Sequence, residues 1–261
     1  MTATVSLARV TGERTPRSGG ARGKADMHLH TLWSDGTAAV ADLLAWVEER
    51  TDLDVIAITD HERIDGAQRA LELHAERGYS FDLVVGEEIT TRRGHLLALF
   101  LERRVRALRP LGESLAAVHD QGGLAIAAHP LAPLTPSLGS RSLRAAHAAL
   151  DPARRLDGIE LMNPSAAGRS RSGARERINA ELLNLPAVGN SDAHVLDAVG
   201  TAWTWFDGVS ASHYRSALAA GTTEPAGSYW SGWHNVSVYG RQLVAKGRHL
   251  RHTLRPTGEW R

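Results

Sequence analysis

The chain has 261 residues, enough for one sizeable domain such as a closed α/β barrel. Its 30 basic and 29 acidic side chains nearly cancel, so overall charge gives no pull toward nucleic acid or an anionic membrane. It contains no cysteine, which excludes disulfides and thiolate-held zinc and leaves imidazole and carboxylate to hold any metal.

The N-terminus lacks a basic start followed by an apolar run, so it does not read as a signal peptide, and a cytoplasmic location is expected. No stretch approaches the roughly 20 apolar residues that span a bilayer. Residues 11–23 (TGERTPRSGGARG) have no hydrophobic periodicity, and residues 1–23 together are expected to form a disordered leader. From Lys24 onward, short apolar runs alternate with helical patterns. The first strand carries Asp26, His28 and His30, which alternation would place on one face. Thr37 is placed to cap a helix whose apolar face is Val40, Leu43, Leu44 and Val47. Strand-like runs follow at 55–59, 83–90, 96–101, 124–128, 158–162 and 187–188. Between them, helices are predicted around Ala67, Ala70, Leu71 and His74, then Leu111, Leu115 and Val118, then Ile178, Leu182 and Leu185. Repeated β-then-α units predict a parallel sheet, closed as a barrel or doubly wound, over residues 24–225. Residues 226–261 break the rhythm with Trp230, Trp233, Tyr239, Trp260 and a run of basic side chains. They fit a last strand with a basic tail, or a segment that packs on a partner.

The polar residues able to do chemistry fall where the strand-like runs end, as they do at the C-terminal face of parallel α/β folds. His28 and His30 make half of a divalent-metal site. Asp35 lies on the Ser34–Asp35–Gly36 turn just after them, and Asp60 and His61 end the VIAIT run. Glu87 and Glu88 lie inside an apolar run, where an inward carboxylate is costly without a compensating cation. His95 opens the next run, His129 closes LAIAA, and Asp192 and His194 close the short run after Pro186. Each alone reads as ordinary surface chemistry. Together, six of the 13 histidines stand at strand ends beside acids, while His74, His119, His147 and His213 fall in helices and His234, His249 and His252 in the extension.

The series HLHTLWSDGT, ITDH, GEE with a downstream histidine, AHP and NSDAH, in this order, resembles the PHP (polymerase and histidinol phosphatase) superfamily from about Ala25 to about Pro225. The resemblance implies a distorted (β/α)7 TIM-like barrel with two or three divalent ions, manganese, iron or zinc, at its C-terminal face. It implies that His28, His30, Glu88 and Asp192 hold one ion, that Glu88 bridges to a second completed by His95 and His129, and that Asp35, His61 and His194 hold a third. Glu88 is chosen over Glu87 because the family motif reads glycine, any residue, glutamate. Asp35 matches the branch with an SDG turn, which resembles small-molecule and nucleotide phosphatases.

The implied chemistry is hydrolysis of a phosphate monoester of a small metabolite or nucleotide by a hydroxide bridging two cations. Asp60 or His194 would protonate the leaving oxygen, unless Asp60 merely orients His61. Arg92, Arg93, Arg169, Arg171 and Arg175 are the candidates to clamp the phosphate. The alternatives are a phosphodiesterase or exonuclease, an amide or ester hydrolase on the same cluster, and a non-enzymatic scaffold. All nine ligand positions are filled, which speaks against the scaffold, and near-neutral charge speaks against a nucleic-acid substrate.

Overall fold

In a computed structural model, residues 21–133 and 135–253 are described, the stretch 243–253 as backbone. Nine strands form one sheet: β1 (Arg22–Leu29), β2 (Val55–Ile58), β3 (Asp82–Thr91), β4 (Gly94–Leu99), β5 (Leu124–Ala127), β6 (Gly158–Met162), β7 (Ala187–Gly189), β8 (Ala202–Asp207) and β9 (Glu224–Gly227). Their spatial order is β7-β6-β5-β4-β3-β2-β1-β8-β9. Among the helices are α1 (Val40–Arg50), α2 (Asp65–Arg77), α3 (Leu111–His119), α4 (Ser140–His147), α5 (Ala166–Ser170), α6 (Ser172–Ile178), α7 (Ala211–Ala220) and α8 (Gly232–Thr253).

The sheet curls into a nearly closed, TIM-like barrel. Alternation along each strand sends one set of side chains inward: Ala25, Met27, Val55, Ala57, Val84, Leu97, Ile126 and Val188 form a common interior cluster. Tyr214, Ala217 and Leu218 of α7 join it, and Ala211 donates to Asp82 at the start of β3, so α7 plugs the end where the parallel strands begin. The opposite set, including Ile56, Ile58 and Leu83, packs under α1 and α2. The apolar faces expected for α1 and α3 are the buried ones.

The distortion is specific. β4 pairs antiparallel with β3 and β5, and β8 antiparallel with β1 and β9, so these two strands run against the rest. The seam is staggered. The first half of β1 pairs with β8, while past its end His30 N donates to Ala193 O and Ala193 N to His28 O, beyond β7. Lower down, Gly189 N donates to Thr204 Oγ1, which donates back to Gly189 O. Gly189 permits this approach, since a Cβ there would lie 2.6 Å from Trp203 O.

Several sequence expectations need correction. β1 starts at Arg22, so the end of the expected leader is strand; residues 1–20 of that leader lie outside the described residues. Thr37 does not cap α1, whose N-cap is Ala39; its hydroxyl bonds His194 O instead. In the helical segment after α6, Leu183 rather than Leu182 is buried, because the chain there follows a π-helical turn. A bulge in β1 between Asp26 and Leu29 reverses the alternation, so Asp26 does not share the face of His28 and His30. The Asp26 carboxylate instead accepts from Ser191 N and Gly200 N. Residues 226–242 supply the end of β9 and the start of a helix whose Val238 is buried in the core; Arg255, Trp260 and Arg261 lie outside the described residues. Among the described residues no helix is long and apolar enough to cross a membrane.

Candidate metal centre

All nine residues proposed as ligands meet at the end of the barrel where the parallel strands finish. His28 and His30 come from the bulged end of β1, and Asp35 from the turn behind it. His61 follows β2, Glu88 lies within β3, His129 follows β5, and Asp192 and His194 follow β7. His95 reaches the same end from the start of β4 because that strand runs backward, pairing with Thr90. On β3, Val84 faces the interior, so Gly86 and Glu88 do also; Glu87 faces out and accepts from Val105 N.

Glu88 is the hub. Its Oε2 lies 3.3 Å from His28 Nε2, His30 Nε2 and His61 Nδ1. Its Oε1 lies 2.8 Å from His95 Nδ1 and 3.1 Å from His129 Nε2. Asp192 Oδ1 lies 3.4 Å from both His28 Nε2 and His30 Nε2. Asp35 Oδ1 lies 3.1 Å from His194 Nε2 and 3.7 Å from His61 Nε2. Two of the nine hold a left-handed backbone, His129 at φ 26° and Asp192 at φ 54°. Such conformations cost about 1–3 kcal/mol each and cluster at functional sites.

Three buried histidine nitrogens here, His28 Nε2, His30 Nε2 and His95 Nδ1, make no aligned hydrogen bond among the described residues. A buried polar atom left so is costly unless something else engages it. Several sets of three or four donor atoms lie within 4.8 Å of one another, among them His30, Asp35, His61 and His194. Imidazole and carboxylate donors converging on shared space fit divalent cations.

The electrostatics agree. Burial opposes ionisation of Glu88, yet His95, His61 and His28 around it hold its carboxyl well below the usual range. Burial likewise opposes the Asp192 and Asp35 carboxylates, but His28 and His194 respectively hold them far down. Burial would depress His30, but the Asp192 and Glu88 carboxylates beside its Nε2 outweigh it and raise its pKa to about 10. His61 goes the other way, to about 3, through burial, with His30 and His95 adding repulsion against the pull of Glu88. The cluster is a concentrated negative site that gathers protons when nothing else compensates it.

Behind the donors lies a layer that the sequence reading missed. Glu160, fully buried on β6, accepts from His28 Nδ1 at 3.2 Å, Asn190 Nδ2 at 3.0 Å, His129 N at 2.7 Å and Asn163 Nδ2 at 3.2 Å. It lies inside an apolar strand, the same signal that marked Glu88. Asn163 Nδ2 also reaches Asp192 Oδ2 at 3.3 Å.

Asp60, one of the two expected proton donors, is fully buried and lines neither of the two cavities over the cluster. Its carboxylate accepts from Thr31 N, Thr31 Oγ1 and Ser34 Oγ, fixing the turn that carries Asp35 rather than orienting His61. His194 has both ring nitrogens engaged, with Asp192 O at 2.9 Å and Asp35 Oδ1 at 3.1 Å.

Two cavities open over the cluster and share Asp35, His61, His95 and Pro136. One, of about 330 Å³, runs under Trp230, Tyr239 and Gln242. The other, of about 700 Å³, is bordered by Arg63 and Arg104. None of the five expected arginines lines either. Arg92 donates to Leu108 O, Arg93 and Arg171 are exposed, and Arg169 stacks 5.4 Å from the Tyr229 ring. Arg175 is fully buried and donates to Leu161 O and Gly168 O, pinning the segment around α5. Sequence proximity to the motifs singles these side chains out, but proximity does not report direction.

Comparison with known proteins points the same way. A family profile described as PHP-associated matches residues 172–223. An uncharacterised protein of Methanocaldococcus jannaschii is 34% identical over 152 residues, covering 54% of this chain and 81% of that protein. A two-domain protein of Bacteroides vulgatus containing a predicted PHP-like metal-dependent phosphoesterase superposes with a TM-score of 0.64 at 20% identity, over 81% of this chain and 66% of that one. PsfC of Pseudomonas syringae superposes with a TM-score of 0.62 at 18% identity, over 87% of this chain and 99% of that one.

Proposed function

We propose that the chain is a metal-dependent phosphoesterase of the PHP superfamily hydrolysing a phosphate monoester of a small metabolite or nucleotide, a reading that the PHP-associated profile over residues 172–223 supports. The observation that carries this reading is Glu88, one buried carboxylate facing five imidazoles. Its two oxygens divide between two donor sets, which supports Glu88 as a bridge. His28, His30 and Asp192 complete the first set around Oε2, and His95 and His129 the second around Oε1. Asp35, His61 and His194 form the third.

When bound there, two or three divalent cations (manganese, iron or zinc) would supply the positive charge that lowers the pKa of a water and neutralises the phosphoryl oxygens. The protein's own part is orientation. Glu160 holds His28 with Nε2 facing the cluster, Asp60 holds the Asp35 turn, and Asn163 steadies Asp192. Arg63 and Arg104 border the larger cavity and replace the expected arginines as candidates to offset phosphate charge. Arg63 is braced by Asp65 at 3.1 Å and by the Trp33 ring at 4.8 Å. The SDG turn at Asp35 remains the reason to favour small-molecule and nucleotide phosphates.

The test is metal content of the purified protein beside hydrolysis of a generic phosphate monoester and diester, with manganese, iron or zinc added. Two to three metals with monoester turnover are expected. Turnover of the diester alone would replace the reading by a phosphodiesterase. A loaded protein inert to both would point to an amide or ester, and a protein that takes up no metal would overturn the reading altogether.

A further inference from the structure

The smaller cavity is roofed from outside the motif series. Trp230, Tyr239 and Gln242 line it above Glu88 and Asp192. This roof is anchored. Trp230 Nε1 donates to Thr201 Oγ1 at 2.9 Å, and Trp230 N donates to Pro164 O. Asn235, in the first turn of α8, donates to Trp230 O and accepts from Ala166 N at 2.8 Å. Val238, beside Tyr239, is fully buried in the core. So α8 is bolted to the segment that carries Ser165 and Gly168, which line the same cavity. Tyr239 is partly exposed, and no hydrogen bond joins its hydroxyl or the Gln242 amide to another described residue.

We infer that Tyr239 and Gln242 form the leaving-group subsite, which takes a planar heteroaromatic group with hydrogen-bonding atoms on its edge. A phenol ring offers a stacking face, and a primary amide offers one acceptor and two donors able to pair with such an edge. The cavity volume of about 330 Å³ suits one small organic group beside a phosphate. A purely aliphatic leaving group would use neither the stacking face nor the paired edge. The inference rests on the monoesterase reading and narrows its substrates to esters of ring-bearing alcohols such as nucleosides.

The experiment compares manganese-loaded wild type, Tyr239→Ala, Tyr239→Phe and Gln242→Ala. The readouts are kcat/KM for adenosine 5′-monophosphate relative to glycerol 2-phosphate, and equilibrium dialysis of adenosine, which has no ester to cleave. Wild type is expected to prefer the nucleotide and to bind adenosine. Tyr239→Ala should cut both the preference and adenosine affinity about tenfold. Tyr239→Phe should retain most of each, since the stacking face survives, and Gln242→Ala should lower both less than Tyr239→Ala does. Equal losses on both esters, or an unchanged ratio, would overturn the subsite while leaving the esterase standing. Adenosine binding that depends on Tyr239 in a protein that cleaves neither ester would keep the subsite and sink the esterase reading.

Discussion

Glu160→Gln replaces a buried carboxylate by a group of the same shape and separates geometry from charge. The Oε1 atom receives His28 Nδ1 and Asn190 Nδ2, and Oε2 receives His129 N and Asn163 Nδ2. A carboxylate can accept all four; an amide can accept at one end only, because its NH2 donates. The backbone N–H of His129 cannot reverse, so the amide NH2 turns toward His28 and Asn190. Asn190 cannot readily flip, since its Oδ1 already accepts from Met27 N. His28 can yield by becoming an acceptor at Nδ1, which moves its proton to Nε2, the atom facing Glu88 and Asp192. The substitution therefore blocks a metal ligand without touching the cluster. Changing the partner behind a ligating histidine typically lowers metal affinity about 10–100-fold. Stability without metal should also fall by roughly 2–4 kcal/mol, from weakened charge-assisted bonds and one unsatisfied donor. Calorimetric metal titration, beside thermal unfolding in chelator, measures both. A variant of lower melting temperature that binds metal as tightly as wild type would refute the tautomer argument.

Four further outcomes are expected. Asp60→Asn should lower stability by about 1–3 kcal/mol and lower kcat by loosening the Asp35 turn, while the acidic limb of the pH–rate profile stays where it is; a displaced limb would restore Asp60 as the proton donor. Because burial is outweighed at His30 by Asp192 and Glu88, raising its pKa to about 10, metal must displace protons there. Apparent metal affinity should rise with pH through the neutral range, and a pH-stat should record proton release on loading; a pH-independent affinity would contradict this. The pKa of His119 is raised, chiefly by its hydrogen bond to Asp157 at 2.8 Å. Its folded value thus exceeds the unfolded one, so its stabilisation is full below pH about 6.5 and fades as pH climbs through the raised value. His119→Ala should narrow the melting-temperature gap between pH 6 and pH 9, a gap that would stay unchanged if the pair contributed nothing. Arg104→Ala should raise KM for a phosphate monoester about tenfold with little change in kcat, whereas an unaltered KM would remove Arg104 from the phosphate path.

Much of this site was legible because its determinants are local. His28, His30, His61, His129, Asp192 and His194 each end a strand whose apolar run is visible, and strand ends in such folds converge. Glu88 could be read as costly inside its run, and Glu160 carried the same signal without neighbouring histidines to draw attention to it. Direction was not legible where it depends on long-range partners. The β1 bulge that turns Asp26 away is set by pairing with β2, and the burial of Arg175 by carbonyls of Leu161 and Gly168. Arg63 follows β2 directly, whereas Arg104 reaches the cleft because the segment after β4 returns alongside β3, with Val105 N donating to Glu87 and Leu108 N to Thr90 O, which no spacing reports. The helix α8 was hidden because glycine, serine and tryptophan dilute its start; what fixes it is Asn235 clasping the α5 loop.

The staggered seam closes the two ends of the barrel differently. At one end β8 and β9 lie between β1 and β7, whereas at the mouth that carries the donors β1 meets the segment after β7 directly, through Ala193. The candidate donors straddle that mouth: His28 and His30 stand on one lip, Asp192 and His194 on the other. Because His30 N donates to Ala193 O and Ala193 N to His28 O, the two lips are joined by the backbone itself. Cations held between them would therefore meet a ring that main-chain hydrogen bonds have already closed, and the spacing of the donors across the seam is set by the chain rather than by its cargo.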